Sequence, residues 1–511
     1  MTAAEQSGSA GLLARHRTWE RVPLEEVADV LNGFPFKSHE FNHENDGMPL
    51  IRIRDVGRNA TQTYYSGKYD SRYLVHPGDM IVGMDGDFRV AIWNGPRALL
   101  NQRVCKISIR DPKAYNFRFL LYVLQGYLDA IGAATSSVTV KHLSSRSLQQ
   151  IPLPLPPLSE QSRIVEALDD HISRLDAASS SLDHAQSLIP LQRRALCSAA
   201  TEGRIAEVEG EVADFSALRR QLWTAIHGEK KYKEPVPADP DHVPVAPKGW
   251  KVFSLEALTD PVRVIRYGIL MPKVKTGGTV PYVEVKDLRG CSLHDKRLHL
   301  TSAELDAQFA GARIESGDVV LAVRGSYDRS AVVPKSLSGA NVSRDVARIA
   351  PLPGVDPEYL HIYLQSNFSQ RYLATHARGV AVKGVNIASI RALPVAIPSL
   401  ATQMKIVEAC QQQFSVIDAA ENAATLSSSR CAALRKAILI RAFSGELVHQ
   451  DLAEEPAIVL RNRIRAAREA QGGKLRRAAR RSHNTVTADA PPPPSASSTP
   501  YSAAAQQELP L

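Results

Sequence analysis

Cysteine is sparse: Cys105, Cys197, Cys291, Cys410 and Cys431 are five in 511 residues, with no Cys-x-x-Cys pair and no histidine cluster beside them. That spacing argues against a zinc ribbon or a disulfide framework and suits a reducing compartment. Long apolar runs are absent too, and nothing approaches the roughly eighteen residues of a membrane span. The first seventeen residues carry Glu5 and one short apolar patch, Gly11-Leu-Leu-Ala14, so they do not read as a secretory leader. A soluble, cytoplasmic protein is expected. Catalytic signatures are also missing. There is no Asn/Asp-Pro-Pro-aromatic tetrad with a Gly-rich cofactor turn, as adenine methylation would need, and no Gly-x-x-x-x-Gly-Lys-Ser/Thr loop for a nucleotide.

A chain of 511 residues that is 44% apolar exceeds a single core, so about three or four units are expected. The net charge of +9 suggests a polyanionic ligand, but the charge is concentrated. Between Arg461 and Arg481 nine basic residues face Glu469 alone, a local +8 that leaves about +1 for everything else. Bulk charge therefore establishes nothing about nucleic acid. Any such surface in the body of the chain must come from local clustering.

The informative feature is an internal duplication, far longer in period than a solenoid repeat. The segment Ile151-Pro-Leu-Pro-Leu-Pro-Pro-Leu-Ser-Glu-Gln161 reappears as Leu393-Pro-Val-Ala-Ile-Pro-Ser-Leu-Ala-Thr-Gln403. Pro152, Gln161 and Glu166 recur as Pro394, Gln403 and Glu408, each 242 positions on. The register holds to Gly203 and Gly445, and reaches Leu218-Arg219 and Leu460-Arg461. Upstream it survives with small slips: Pro49 to Asp55 matches Pro281 to Asp287, Gly78-Asp79 matches Gly317-Asp318, and Val140-Lys141 matches Val382-Lys383. The chain reads A–B–A′–B′.

The A units hold short β-branched runs broken by Gly, Pro and Asn, with helices expected around 116–126 and 357–365, the pattern of mixed α/β domains. The B units are helical. In B a 4,3 stepping places Val165, Leu168, Ile172, Leu175, Leu182 and Ile189 on one seam, and in B′ it places Val407, Cys410, Phe414 and Ile417. Each helix is expected to pair with its duplicate. Ser159 is the expected cap of the first helix, and Pro190 is expected to kink or break it.

Gly78-Asp79 and Gly317-Asp318 read as turns into core strands. The loops that follow those strands, Met84-Asp-Gly-Asp-Phe-Arg89 and Arg324-Gly-Ser-Tyr-Asp-Arg329, mix arginine, aspartate and an aromatic around glycine. Such side chains read base edges in a groove. The candidate base readers are Asp85, Asp87, Phe88 and Arg89 in one loop and Arg324, Ser326, Tyr327, Asp328 and Arg329 in the other. Polar trios at corresponding places add Asn101, Gln102 and Arg103, and Arg344 between Ser343 and Asp345. An ordinary polar loop is the alternative for each set. Two readers of different sequences should keep a frame and vary its tips.

Lys141 and Lys383 are matched phosphate-contact candidates, joined by Arg52, Arg54 and Lys286; solvated surface charges are the alternative. Glu284-Val-Lys286 is the one nuclease-like fragment, an acidic-x-Lys that could hold a metal. Its repeat mate, Arg52-Ile-Arg54, has no carboxylate, so the fragment reads as a strand with exposed charges. No catalytic residue and no metal ligand set is expected on the chain.

Taken together, these residues resemble the specificity (S) subunits of Type I restriction–modification systems over about 18–470. The proline-punctuated entry to a long helix at 151–161, Ala442-Phe-Ser-Gly-Glu-Leu447, Lys230-Lys-Tyr-Lys-Glu-Pro235 before Gly249-Trp250, and Asn32-Gly-Phe-Pro-Phe-Lys-Ser38 before Ile51-Arg-Ile-Arg-Asp55 carry the resemblance. It implies an α+β chain in which two mixed α/β target-recognition domains alternate with two long helical regions paired as an antiparallel coiled coil that fixes their separation. The expected division is 1–17 disordered extension, 18–157 first recognition domain, 158–228 first helical spacer, 229–247 proline-rich linker, 248–399 second recognition domain, 400–471 second helical spacer, and 472–511 basic then Pro/Ser/Ala-rich disordered tail. The resemblance also implies double-stranded DNA as ligand and assembly with two modification (methyltransferase) subunits that carry S-adenosylmethionine. Restriction (translocase/nuclease) subunits that use ATP and magnesium complete the complex, and no catalysis belongs to this chain. A duplicated-domain DNA-binding regulator without enzyme partners is the alternative, and a cryptic nuclease or methyltransferase is the third reading.

Overall fold

The structure, a computed structural model, describes residues 16–86, 88–134, 143–270, 278–289, 292–293, 298–379 and 383–483. It divides into two compact units, Met1–Ser180 with Ser428–Leu511, and Ser181–Ser427.

The main elements of the first unit are β1 (Glu20–Pro23), β2 (Ala28–Asn32), β3 (Met48–Ile51), β4 (Met80–Gly83), β5 (Val90–Ile92), β6 (Ala98–Leu100), β7 (Val104–Ile109), α1 (Phe117–Ala134) and β8 (Pro152–Leu155). β2, β7, β4 and β5 form an antiparallel sheet in that order. All of β4 is buried: Met80 and Val82 belong to one core and Ile81 to another, the alternation of a strand covered on both faces. β3 pairs parallel with β6, Leu50 opposite Leu99 and Ile51 opposite Leu100. β1 pairs antiparallel with β8, which closes the domain where its chain enters and leaves.

The chain passes from the first unit to the second within α2 (Leu158–Thr201), and α3 (Phe215–His227) follows. The second unit then holds β9 (Lys251–Ser254), β10 (Arg266–Tyr267), β11 (Val280–Val283), β12 (Val319–Ala322), β13 (Ser330–Val332), β14 (Asn341–Val342), β15 (Val346–Ile349), α4 (Pro357–Gln365), α5 (Asn367–His376) and β16 (Pro394–Ile397). Its topology repeats the first: β10, β15, β12, β13 in one sheet, β11 parallel to β14, and β9 closed against β16. β12 is again buried on both faces, Val319 and Leu321 in one core, Val320 and Ala322 in the other. Both Gly-Asp turns lead into these core strands as expected, with Gly78 and Gly317 at φ +94° and +88°, a region glycine enters at little cost.

The long helices are α2 and α6 (Leu400–Phe443), followed by α7 (Ala457–His483). In the first unit Leu168, Ile172 and Leu175 of α2 share a core with Ile438, Ala442 and Phe443 of α6, and Asp176 pairs with Arg435. In the second unit Gln186 meets Thr425 at 3.4 Å and Arg193 pairs with Asp418, so the paired stretches run antiparallel. Val165, Leu168, Ile172, Leu175, Ile189, Val407 and Cys410 are buried; Leu182, Phe414 and Ile417 are half-buried, a looser stretch of the same seam. Gly203 and Gly445 follow the two helices in the left-handed conformation, φ +71° and +78°. Among the described residues no helix is long and apolar enough to cross a membrane.

Gln161 and Gln403 explain the strictness of the 242-residue register. Both are fully buried near the start of a long helix. Gln161 Oε1 accepts the Asn116 amide at 2.7 Å while Nε2 donates to the Pro156 carbonyl at 3.0 Å. Gln403 makes the same pair of bonds with the Asp356 amide (2.8 Å) and the Pro398 carbonyl (3.0 Å). A buried amide must be satisfied at both ends, so neither a shorter nor an apolar side chain replaces it.

Three local expectations are corrected. α2 does not break at Pro190, which sits inside it. Proline deletes one helical hydrogen bond and costs about 3 kcal/mol, but Ile189 is buried and Arg193 is paired to Asp418 and Glu421, so packing holds the turn together. Ser159 is not the cap, because the helix begins at Leu158 and the Ser159 hydroxyl bonds Glu454 instead. In the second copy Ser399 caps, accepting the Thr402 amide at 3.3 Å. The tail expected to be disordered from 472 is helical through His483, and residues 484–511 lie outside the described residues.

Candidate nucleic-acid interface

In the first unit the β4–β5 loop is tied to the Asn101–Arg103 turn through the backbone. The Met84 amide donates to the Arg103 carbonyl (3.0 Å), the Met84 carbonyl accepts from Leu143 (2.8 Å), and the Val104 amide closes the turn on the Asn101 carbonyl (2.9 Å). The second unit repeats each bond: Val323 to Asp345 (2.9 Å), Val385 to Val323 (2.8 Å) and Val346 to Ser343 (3.1 Å). The segment after the first strand of each sheet runs alongside, Phe34 bonded to the Leu100 carbonyl (2.9 Å) and Ile269 to Val342 (2.7 Å). Glycine is required there. A Cβ on Gly33 would lie 2.0 Å from the Asn101 carbonyl oxygen, and one on Gly268 would lie 1.7 Å from that of Val342.

On this common frame position 85 corresponds to 324, and 103 to 345. In the first copy Asp85 pairs with Arg103 at 3.3 Å; in the second Arg324 faces Asp345 at 4.0 Å. The polarity is reversed at the same two places. Arg344 adds a second guanidinium 3.6 Å from Asp345. About half of each arginine side chain stays exposed, 52%, 48% and 42% for Arg103, Arg324 and Arg344.

The remaining candidates divide. Arg89 is exposed, with its aliphatic stem over Gly57. Phe88 is not a reader: it is 6% exposed and packs in the domain core, because alternation on the strand approaching β5 turns it inward. Asp87 lies outside the described residues. Asn101 is half-buried and its Oδ1 accepts the Gln102 amide at 2.9 Å, so it shapes the turn, while Gln102 is exposed. In the second copy Ser326 and Tyr327 are half-buried, and Tyr327 packs on the core. Asp328 and Arg329 are exposed, with Arg329 Nη1 3.4 Å from the Leu288 carbonyl.

Arg52, Arg54 and Lys286 do not lie within strands. They sit at or on a 3-10 turn just beyond β3 or β11, which corrects the expectation for Glu284-Val-Lys286. The turn is held identically in both copies by a buried aspartate: Asp55 Oδ2 accepts the Arg52 amide and Asp287 Oδ2 the Glu284 amide, each at 2.9 Å. Burial raises the Asp287 carboxyl above its ordinary value, although the Glu284 amide opposes this. Lys286 Nζ lies 2.5 Å from Glu284, which also faces His299 at 3.1 Å. Arg54 is half-exposed and donates to Thr63 at 3.1 Å. Lys383 is exposed and its carbonyl accepts the Gly325 amide at 2.9 Å, beside Arg324; Lys141 lies outside the described residues.

Sequence reading missed Phe34. It is 42% exposed, pairs as a β-bridge with Asn101 and packs against Tyr73 at 5.2 Å between ring centres, an apolar face next to the polar trio. Two phenylalanines flanking Pro35 were the available signal, since only one, Phe36, is buried.

The sequence matches the family described as "Type I restriction modification DNA specificity domain" over residues 16–181 and 247–424. It is 38% identical over 473 residues to the Type I restriction enzyme EcoBI specificity subunit of Escherichia coli, covering 91% of this chain and 95% of that one. The chain belongs to the Type I restriction–modification specificity family. A more distant member, the EcoKI specificity subunit of Escherichia coli strain K12, is 20% identical over 501 residues, with 89% and 97% coverage. A chain solved in work on assembly and conformational transition of the type I R-M system superposes with a TM-score of 0.57 at 17% identity, covering 84% of this chain and 99% of that one; this likeness is one of fold. The two matched segments of this family member coincide with the two copies of the frame.

Proposed function

We propose that this chain is the sequence-specific DNA-reading subunit of a Type I restriction–modification complex, with each domain reading one half of a split target. The single observation that carries the reading is the reversed ion pair, Asp85–Arg103 against Arg324–Asp345, on one repeated backbone frame. An arginine fork presents donors to guanine and a carboxylate accepts from cytosine, so swapping them on a fixed frame changes the base read and leaves the reader intact. Arg89, Gln102, Arg329 and Arg344 extend each surface, and Lys383 contacts phosphate.

The chain itself catalyses nothing in this reading. Two modification subunits bring S-adenosylmethionine, and restriction subunits bring ATP and magnesium, all in the cytoplasm. Family membership and near full-length similarity to a specificity subunit support it. The test is to map methylated adenines in the host after exchanging residues 18–157 for the matching domain of another specificity subunit. Only one half of the methylated motif should change. Change in both halves, or no methylation that depends on the chain, overturns the proposal.

A further inference from the structure

In the second unit a turn of the proline-rich segment ahead of β9 is held by three side chains that the sequence scatters. Asp239 caps the 3-10 turn Pro240–His242, its Oδ1 accepting the Asp241 amide at 3.1 Å, while its own amide donates to the Ala392 carbonyl at 2.9 Å. Its other oxygen, Oδ2, faces two imidazoles, His242 Nδ1 at 3.1 Å and His376 Nε2 at 3.3 Å. His376 is the last residue of α5, and the three groups are half-buried with all ligand atoms within 4.8 Å of one another.

The His376 ring defines what this arrangement requires. Its Nδ1 lies 2.9 Å from the Tyr372 carbonyl, and a carbonyl only accepts, so Nδ1 carries the proton. In the neutral ring Nε2 is then a bare lone pair, aimed at a carboxylate oxygen that is also an acceptor. Two acceptors at 3.3 Å repel unless a cation lies between them. Tyr372, stacked on His376 at 4.1 Å, donates to the Ser389 carbonyl, and burial together with Asp239 keeps it a neutral phenol.

We propose that Asp239, His242 and His376 bind one divalent transition-metal ion of the zinc class, clipping the segment ahead of the second domain to the end of α5. A tetrahedral ion with bonds of about 2.0–2.1 Å holds its ligand atoms about 3.3 Å apart. The two edges through Asp239 measure 3.1 and 3.3 Å, at that spacing, and the edge between the two imidazoles lies within 4.8 Å, so the rings close slightly on the ion. Imidazole and carboxylate suit this class of ion, and the bond from His376 Nδ1 to a backbone carbonyl is the outer contact that orients a ligating histidine. Water completes the shell. Binding only to the folded domain stabilises it.

The full-length protein, stripped by chelator and dialysed, is titrated with Co²⁺ as a spectroscopic probe and Zn²⁺ as competitor. One Co²⁺ per chain should bind with the visible absorption of a four-coordinate nitrogen/oxygen site, be displaced by one Zn²⁺, and Zn²⁺ should raise the unfolding temperature. His242→Ala and His376→Ala should each weaken binding at least tenfold. Asp239→Asn, which keeps an oxygen for the Asp241 cap, serves if an alanine variant does not fold. A thiolate–cobalt band would move the ion to cysteine, and equal binding by protein and variants, or none, also overturns the site. A proton on His376 would then bridge it to Asp239, seen as an imidazolium in its NMR titration. None of these readouts involves DNA.

Discussion

The two recognition domains share a backbone and oppose each other in charge at its tips. Met84 and Val323 make the same main-chain bonds to Arg103 and Asp345, yet the residues beside them carry opposite signs, Asp85 against Arg324. The difference separates two roles. The frame is set by buried strands and main-chain hydrogen bonds, which do not depend on which side chain the residue carries. The arginines at the tips are about half-exposed and their carboxylate partners less so, and an ion pair near the surface is worth about 0–1 kcal/mol, so the tips can change sign without endangering the fold. Stability and specificity rest on different atoms.

The strongest way to break that comparison is to break the frame. Gly33→Ala and Gly268→Ala should each destabilise their own domain by roughly 2–5 kcal/mol, because the new Cβ meets a main-chain carbonyl that cannot move without disrupting its strand. Denaturant unfolding reads the loss, and only the half-motif of the damaged domain should fade from the methylation pattern. Equal loss of both halves would mean that the domains do not read separately.

Acid should separate the domains next. His361 in α4 is buried against Ser330 (2.9 Å), and burial pushes its imidazole down to about 4, below the ordinary 6.5. The N-caps Asn116 and Asp356 align α1 with α4, which places Leu121 opposite His361. A lowered histidine is neutral in the fold, and the unfolded chain takes up the extra proton. Its contribution is therefore present above pH 6.5 and is lost as pH falls toward 4, by up to about 3 kcal/mol. Unfolding monitored from pH 7 to 4.5 should show the second domain weakening, and His361→Leu should flatten that dependence. A first domain equally acid-sensitive at this step would remove the asymmetry.

Reversing the first ion pair sharpens the comparison directly. The double variant Asp85→Arg with Arg103→Asp should keep stability within about 1 kcal/mol and alter one position in one half of the methylated motif. Arg103→Ala alone should relax preference there by about 1–3 kcal/mol. An unchanged motif would remove the pair from the reading surface. The smallest effect is expected at Lys383, where alanine should flatten the dependence of log K on log salt by roughly one unit and leave the motif unaltered.

Much of this architecture is legible in the sequence because it is periodic or duplicated. The 4,3 seam needs only local spacing, and the register of Gln161 with Gln403 marks a buried bond pattern that both copies must keep. Residues were misjudged where neither rule applies. Phe88 looked like a loop aromatic, yet it turns into the core just before β5; Phe34 was quoted only within the Asn32–Ser38 segment, yet it is exposed beside the polar trio. Pro190 carries a strong local preference that helix packing overrides.

By itself, then, the sequence determined the A–B–A′–B′ order, the two core strands, the helix seams and the loops that follow each strand, because each depends on neighbours a few residues away or on a copy in register. Only the tertiary structure decided that position 85 faces 103 and 324 faces 345, since a main-chain bond between distant segments makes that pairing. It also brought His376 to Asp239 and His242. Contacts of this kind leave no period in the chain; they follow from how sheets and turns close in space.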